Sequence, residues 1–125
     1  MPQPIVHYEI ATDDLPKVKK FYQDLLGWQI ESGGPVFGDY HMIEAKQGAE
    51  FGINGGMMAR MPEDKLPGIR MYANVDSADD FVAAAKKLGA PVIFEPMDVE
   101  GAGIRIAMCL DPEGNPIGCV ETLAP

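Results

Sequence analysis

His7 and Glu9 stand two apart in Ile5-Val6-His7-Tyr8-Glu9-Ile10. On a strand that spacing puts both side chains on one face. An imidazole beside a carboxylate is a pairing suited to general base chemistry. Arg70 and Tyr72 repeat the spacing in the second half of the chain. Together the four make the best polar lining for a cleft. Glu9 and Arg70 read equally well as a structural ion pair, and Tyr72 as a packed ring. His41 and Glu44 lie on another strand-like run. A metal site from His7, Glu9 and His41 would reach the minimum of three donors that a divalent cation needs; otherwise His7 is a hydrogen-bonded pocket or core residue. Met57, Met58 and Met61 cluster where core duty is not obvious, and methionine adapts well to a permissive pocket. Trp28, Phe37, Tyr40, Phe51 and Met108 are further candidates for apolar walls.

Several chemistries are excluded by what is missing. The glycines at 52, 55 and 56 have no following lysine and helix to cradle a phosphate. Ser32 and Ser77 are the only serines, and neither sits in a nucleophile elbow. Cys109 and Cys119 match no zinc or redox spacing. A hairpin pairing Leu110 with Gly118 would set them face to face; free buried thiols are the expectation for a chain without export signals.

The elements that must position these residues read as one unit used twice. Ile5–Ala11 is a strand, with Thr12 or Asp13 offering a helix cap and Pro16 in the first turn, where its missing N–H does no harm. Leu15, Val18, Tyr22, Leu25 and Leu26 make an apolar stripe, and Gly27 stops the helix. Strands follow at Trp28–Glu31, Tyr40–Ala45 and Glu50–Asn54. Residues 57–68, with two prolines, read as a linker. A second strand, Ile69–Val75, leads to a helix capped by Asp76 or Ser77 whose buried stripe is Phe81, Ala84, Ala85 and Leu88, ended by Gly89. Strands at Pro91–Glu95, Gly103–Leu110 and Ile117–Thr122 follow, the last two joined by the turn Asp111–Pro116. A shift of 62 aligns Asp14 with Asp76, Leu26 with Leu88 and Gly27 with Gly89. The expected organisation is one domain, 1–125, with module one at 4–56, a linker at 57–68 and module two at 69–122.

The bulk numbers narrow the partners. With 125 residues the chain holds one domain with a real core. A net charge of −9 argues against nucleic acid and is compatible with a neutral or cationic ligand. No apolar run is long enough to span a membrane and no secretory leader pattern is present, so a cytoplasmic protein without membrane partners is expected.

Phe21-Tyr22-x-x-x-Leu26-Gly27-Trp28, the Val75-Asp76 junction and the Asp111-Pro112-Glu113-Gly114-Asn115-Pro116 turn give the chain, over residues 4 to 122, a resemblance to the vicinal oxygen chelate superfamily, which groups glyoxalase I, extradiol dioxygenases and bleomycin-resistance proteins. The resemblance implies an α+β fold of tandem βαβββ modules forming an open cup, and frequent homodimers. It also implies metal ligands on the first and last strand of each module. His7, 14 residues before Phe21, fits the first such position. The others fall near Gly52 or Ile53, at about Arg70 (or Ile69), and at Gly118; none offers a ligating side chain. Glu121 is three past its place and so belongs to the other strand face.

The expectation is therefore a small-molecule-binding protein of the glyoxalase/bleomycin-resistance type. No metal or other cofactor is expected. The ligand would lie in a cleft between modules or subunits, lined by His7, Glu9, His41, Met57, Met58, Arg70 and Tyr72. The alternative is an enzyme of the same superfamily, a lyase, isomerase or dioxygenase, using His7 and Glu9 or a relocated metal site. A homodimer is expected in either case.

Overall fold

A computed structural model describes residues 2–33 and 39–124. Phe37 lies outside the described residues. The chain divides into two compact units, residues 7–69 and residues 1–6 with 70–125. Each repeats strand, helix and three strands, so the fold is α+β and built of tandem βαβββ modules.

The first module contains β1 (Ile5–Thr12, whose first two residues belong to the other unit), α1 (Leu15–Leu26), β2 (Gln29–Ser32), β3 (His41–Glu44) and β4 (Gly55–Ala59). Its strand order is β2-β3-β4-β1, with β1 and β4 parallel and the other pairs antiparallel. The second contains β5 (Ile69–Asn74), α2 (Ala78–Lys87), β6 (Val92–Val99), β7 (Ile104–Leu110) and β8 (Pro116–Thr122). Its order, β5-β8-β7-β6, is the same arrangement, again with one parallel pair. The Asn74 N–H donates to the Pro4 carbonyl at 2.8 Å, tying the N-terminal residues to this unit.

Both helices are capped by local chemistry. The Asp14 carboxylate accepts from the Lys17 N–H, and Thr12 Oγ1 accepts from the Asp14 N–H, so the cap is Asp14 rather than Thr12 or Asp13. Gly27, at φ 70°, closes the helix with its N–H on the Gln23 carbonyl. Ser77 caps α2, Asp79 and Asp80 occupy its first turn, and Lys86 and Lys87 its last, each charge on the favourable end of the dipole. Counted from the two caps, the repeat is 63 residues; counted from Gly27 and Gly89 it is 62, because α2 loses one residue before its stop. Asp14 therefore corresponds to Ser77, not Asp76.

In module one, Leu15, Val18 and Tyr22 of α1 pack on Ile10, Ile30, Ile43 and Met57. In module two, Ala78 and Val82 of α2 meet Val75, Ala107 and Cys119, with Phe81 and Val92 alongside. The expected stripes extend too far. Leu25, Leu26 and Leu88 are exposed, as is Ala84. At about 100° per residue, Leu25 and Leu88 lie on the flank of the face their helices present to the sheet.

The largest correction concerns β4. Glu50–Asn54 forms no strand, and the strand begins at Gly55, using three residues assigned to the linker. The pair Gly55-Gly56 reads as a turn, yet it is strand because aromatic rings cover both faces of it. A Cβ on Gly55 would strike the Tyr8 ring, and one on Gly56 the Tyr40 ring. The connector that remains is stapled by Arg60, which donates to the Leu66 and Ala11 carbonyls and pairs with Asp13 at 3.2 Å. The Asp111–Pro116 turn forms as read: Asp111 Oδ1 accepts from the Glu113 and Asn115 N–H groups, and Gly114 takes φ 85°. The hairpin register is two residues off the expected one. Leu110 pairs with Pro116, Cys109 with Ile117 and Cys119 with Ala107, so the thiols are not opposed. β6 continues to Val99, accommodating Pro96 through irregularities on either side of Phe94.

Candidate functional site

Alternation along β1 decides which residues share a face in module one. Tyr8 and Ile10 point to the α1 side, in the module core, so His7, Glu9 and Ala11 point to the opposite face. Cross-strand partners share a face. Glu9 pairs with Gly56 and Gly56 with Met42; Ala11 pairs with Met58. His7, Glu9, Met42, Gly56 and Met58 therefore line one surface. The same register sends His41 elsewhere. It pairs with Met57 and Ser32, on the face that also carries the fully buried Ile43. His41 and Met57 thus belong to the α1 side, Met57 as a core residue with no exposure, and the expected trio His7, Glu9 and His41 does not share a face.

Tyr40 supplies what the sequence concealed. It was expected as an apolar wall, but its hydroxyl lies 2.7 Å from His7 Nε2, and the two rings stack with centroids 6.4 Å apart at 19°. Gly56 makes the pairing possible, since any side chain there would occupy the position of the Tyr40 phenol. Burial lowers the His7 pKa below its ordinary 6.5, because desolvation penalises the imidazolium. The neutral ring can donate or accept at Nε2 according to tautomer, so the pair can pass a proton in either direction. Glu9 is only 8% exposed.

The second module carries a corresponding face on its own sheet. Ala73 pairs with Cys119 on the α2 side, so Arg70 and Tyr72 share the face away from the helix. Both are 5% exposed. Gly118, paired with Tyr72 and Met108, has no room for a Cβ beneath the Tyr72 ring. Arg70 and His7 each stand seven residues before their helix caps, and Gly118 and Gly56 each stand on the last strand of their module. The remaining expected wall residues fall elsewhere. Trp28 stacks on Tyr22 at 5.1 Å on the α1 side, and Phe51 is exposed. Met108 is buried on the Gly118 face.

The residues do not fit the metal that the resemblance implies. The first-strand positions are His7 and Arg70. The last-strand positions are Gly118 and, with β4 now placed, Gly56 in place of Gly52 or Ile53. At both glycines a tyrosine ring fills the space that a ligating side chain would need. Glu121 lies on the α2 face, as its odd offset implies, where Oε1 accepts from the Ala78 N–H at 2.9 Å. Among the described residues no three His, Cys, Asp or Glu side chains converge. Among the described residues, too, no helix is long and apolar enough to cross a membrane.

Comparison with known proteins agrees with this architecture. The model of the Glyoxalase/Bleomycin resistance protein/Dioxygenase superfamily matches residues 4–118. A probable chloroplastic lactoylglutathione lyase of Arabidopsis thaliana is 24% identical over 131 residues, covering 90% of this chain and 34% of that protein. The chain thus spans about a third of the length of that curated relative. A glyoxalase/bleomycin resistance protein/dioxygenase superfamily member from Vibrio splendidus superposes with a TM-score of 0.66 at 13% identity, covering 98% of this chain and 100% of the other. Methylmalonyl-CoA epimerase from Mycobacterium tuberculosis superposes at 0.61 with 22% identity, covering 97% and 88%. At these identities the solved structures speak for the fold alone.

Proposed function

Given that the chain belongs to the Glyoxalase/Bleomycin resistance protein/Dioxygenase superfamily, we propose that it binds a small organic molecule without a chelated metal. The single observation that carries this reading is the tyrosine ring over each last-strand glycine, which replaces a chelating side chain by an aromatic wall. On the first module the ligand surface is the sheet face away from α1, with His7 and Tyr40 as the aimed polar pair, Glu9 as the buried acid, and Met42 and Met58 as adaptable apolar floor. Arg70 and Tyr72 are the polar groups of the corresponding face in module two. Two buried free thiols support a reducing, cytoplasmic setting.

The test is metal analysis of protein purified without chelator, followed by thermal-shift titration with aromatic diols, glutathione hemithioacetals and cationic glycopeptides. Saturable stabilisation by one of these classes in metal-depleted protein, lost in Tyr40→Phe or His7→Ala, supports the reading. Close to one equivalent of nickel, zinc, iron or manganese per chain, lost on His7→Ala, overturns it.

A second reading rests on the His7–Tyr40 pair itself. A half-buried imidazole whose neutral form is favoured by desolvation, with a phenol at 2.7 Å, is arranged for acid–base work, and the curated relative bears the name of a lyase. In that case His7 takes a proton from a carbon beside a carbonyl and returns it to the same or a neighbouring atom. Exchange of that hydrogen for solvent deuterium, abolished by His7→Gln, separates catalysis from sequestration.

A further inference from the structure

The two helices leave equivalent flanks in solvent, and those flanks are complementary. At three, seven and eleven residues past its cap, α1 presents Lys17, Phe21 and Leu25; α2 presents Asp80, Ala84 and Leu88 at the same positions. Each set follows an i, i+4, i+8 line along one side of its helix. Phe21 is 56% exposed, Leu25 63% and Leu88 85%. These large apolar side chains lie outside the buried clusters of their own modules, Phe21 touching Tyr22 edge-on.

The α2 flank is more than an exposed side. With Phe81, Leu110 and Ile117 it borders an open groove of about 890 Å³ within module two. The charged residues around this groove are Asp76, Asp80 and Asp111, with no lysine or arginine among its lining residues. The α1 flank has the opposite character. Lys17 heads it, and the adjacent Lys20 is held by Asp24 at 2.6 Å. Size is complementary as well: α1 carries a phenyl ring where α2 carries an alanine.

We propose that α1 of one copy of this chain docks in the α2 groove of a second copy, with Phe21 and Leu25 as apolar anchors and Lys17 toward Asp80 and Asp76. This is the helix-in-groove mode of recognition, read as anchors one turn apart. The contact joins two different patches, so it is heterologous. It is also small, and interfaces well below about 1,200 Å² are weak and transient, so association is concentration-dependent. The proposal is independent of the ligand reading, since no residue of it belongs to the proposed binding face.

Sedimentation velocity over concentrations up to about 1 mM tests it. The wild-type chain shows a concentration-dependent rise in mass, strongest at low salt. Leu88→Ala, at a site outside the core, weakens the association about tenfold. Lys17→Asp and Asp80→Lys each weaken it by a similar factor, and an equimolar mixture of these two variants restores it, because each then offers the charge the other needs. Circular dichroism confirms that the variants remain folded. A wild-type chain monomeric throughout the range overturns the proposal. So does an assembly indifferent to both charge reversals, or a mixture no tighter than the variants alone.

Discussion

Gly55 and Gly56 are neighbours on one strand, and replacing each by alanine should have opposite kinds of consequence. On Gly55 the new methyl lies 2.6 Å from the Tyr8 carbonyl oxygen as well as against the Tyr8 ring. Backbone where β4 enters the sheet, with Gly55 paired to Ile43 on β3, cannot yield cheaply, so Gly55→Ala costs about 1–3 kcal/mol by overpacking. On Gly56 the atoms nearest the methyl all belong to the outer end of the Tyr40 side chain. That ring can swing aside, giving up its hydrogen bond to His7, worth about 0.5–1.5 kcal/mol. The loss is offset by about 0.4–1 kcal/mol from stiffening the unfolded chain, since Gly56 does not use positive φ. Gly56→Ala therefore remains within about 1 kcal/mol of wild type. At roughly 3–6 °C per kcal/mol for a domain of this size, only Gly55→Ala shows a large fall in Tm. The signature of Gly56→Ala is instead at His7. With the phenol displaced and solvent admitted, its pKa rises toward 6.5, as read by NMR titration with the signal assigned through His7→Ala. Equal destabilisation by the two substitutions, or a His7 titration unmoved in Gly56→Ala, would refute the packing argument and with it the assignment of Gly56 as the residue that makes room for Tyr40.

Three further outcomes follow from the same geometry. The His7 pKa is depressed in the folded state, so its neutral form is the one folding favours; the associated stability is present above about pH 6.5 and is lost as pH falls through the folded-state value. His7→Gln should flatten that part of a stability–pH curve measured by urea unfolding. Glu121→Ala removes the carboxylate that accepts the Ala78 N–H at the start of α2, and should cost about 0.5–2 kcal/mol with faster hydrogen exchange in the first turn of that helix. Burial pushes the Cys119 thiol up to about 11 and raises that of Cys109, so both should resist a thiol reagent at neutral pH until denaturant is added; rapid labelling of the native protein would contradict their placement.

Local chemistry was legible and non-local register was not. The helix stops at Gly27 and Gly89, the Asp111–Pro116 turn and the strand-helix order of both modules depend on contacts within a few residues, and they form where the pattern places them. Alternation also placed His7 with Glu9 and Arg70 with Tyr72 on single faces, and set Glu121 opposite to Gly118. Alternation does not say which faces of separate strands coincide. His41 looked like a partner for His7 because both are imidazoles on strands; pairing with Met57 turns it to the other side. A slip of one residue reverses every side chain on a strand, so such an assignment needs the partner strand.

The chain by itself therefore determined the duplicated βαβββ plan, because caps, stops, turns and periodicity are written within short windows, and it determined that glycine and arginine stand at positions where chelating residues were expected. Only the tertiary structure decided that Gly55-Gly56 is strand rather than turn, that Tyr40 reaches His7, and that Leu25 and Leu88 stay in water. Those outcomes depend on which distant rings and strands come to lie against a segment, and a backbone glycine carries no local mark of the side chain that will fill the space above it.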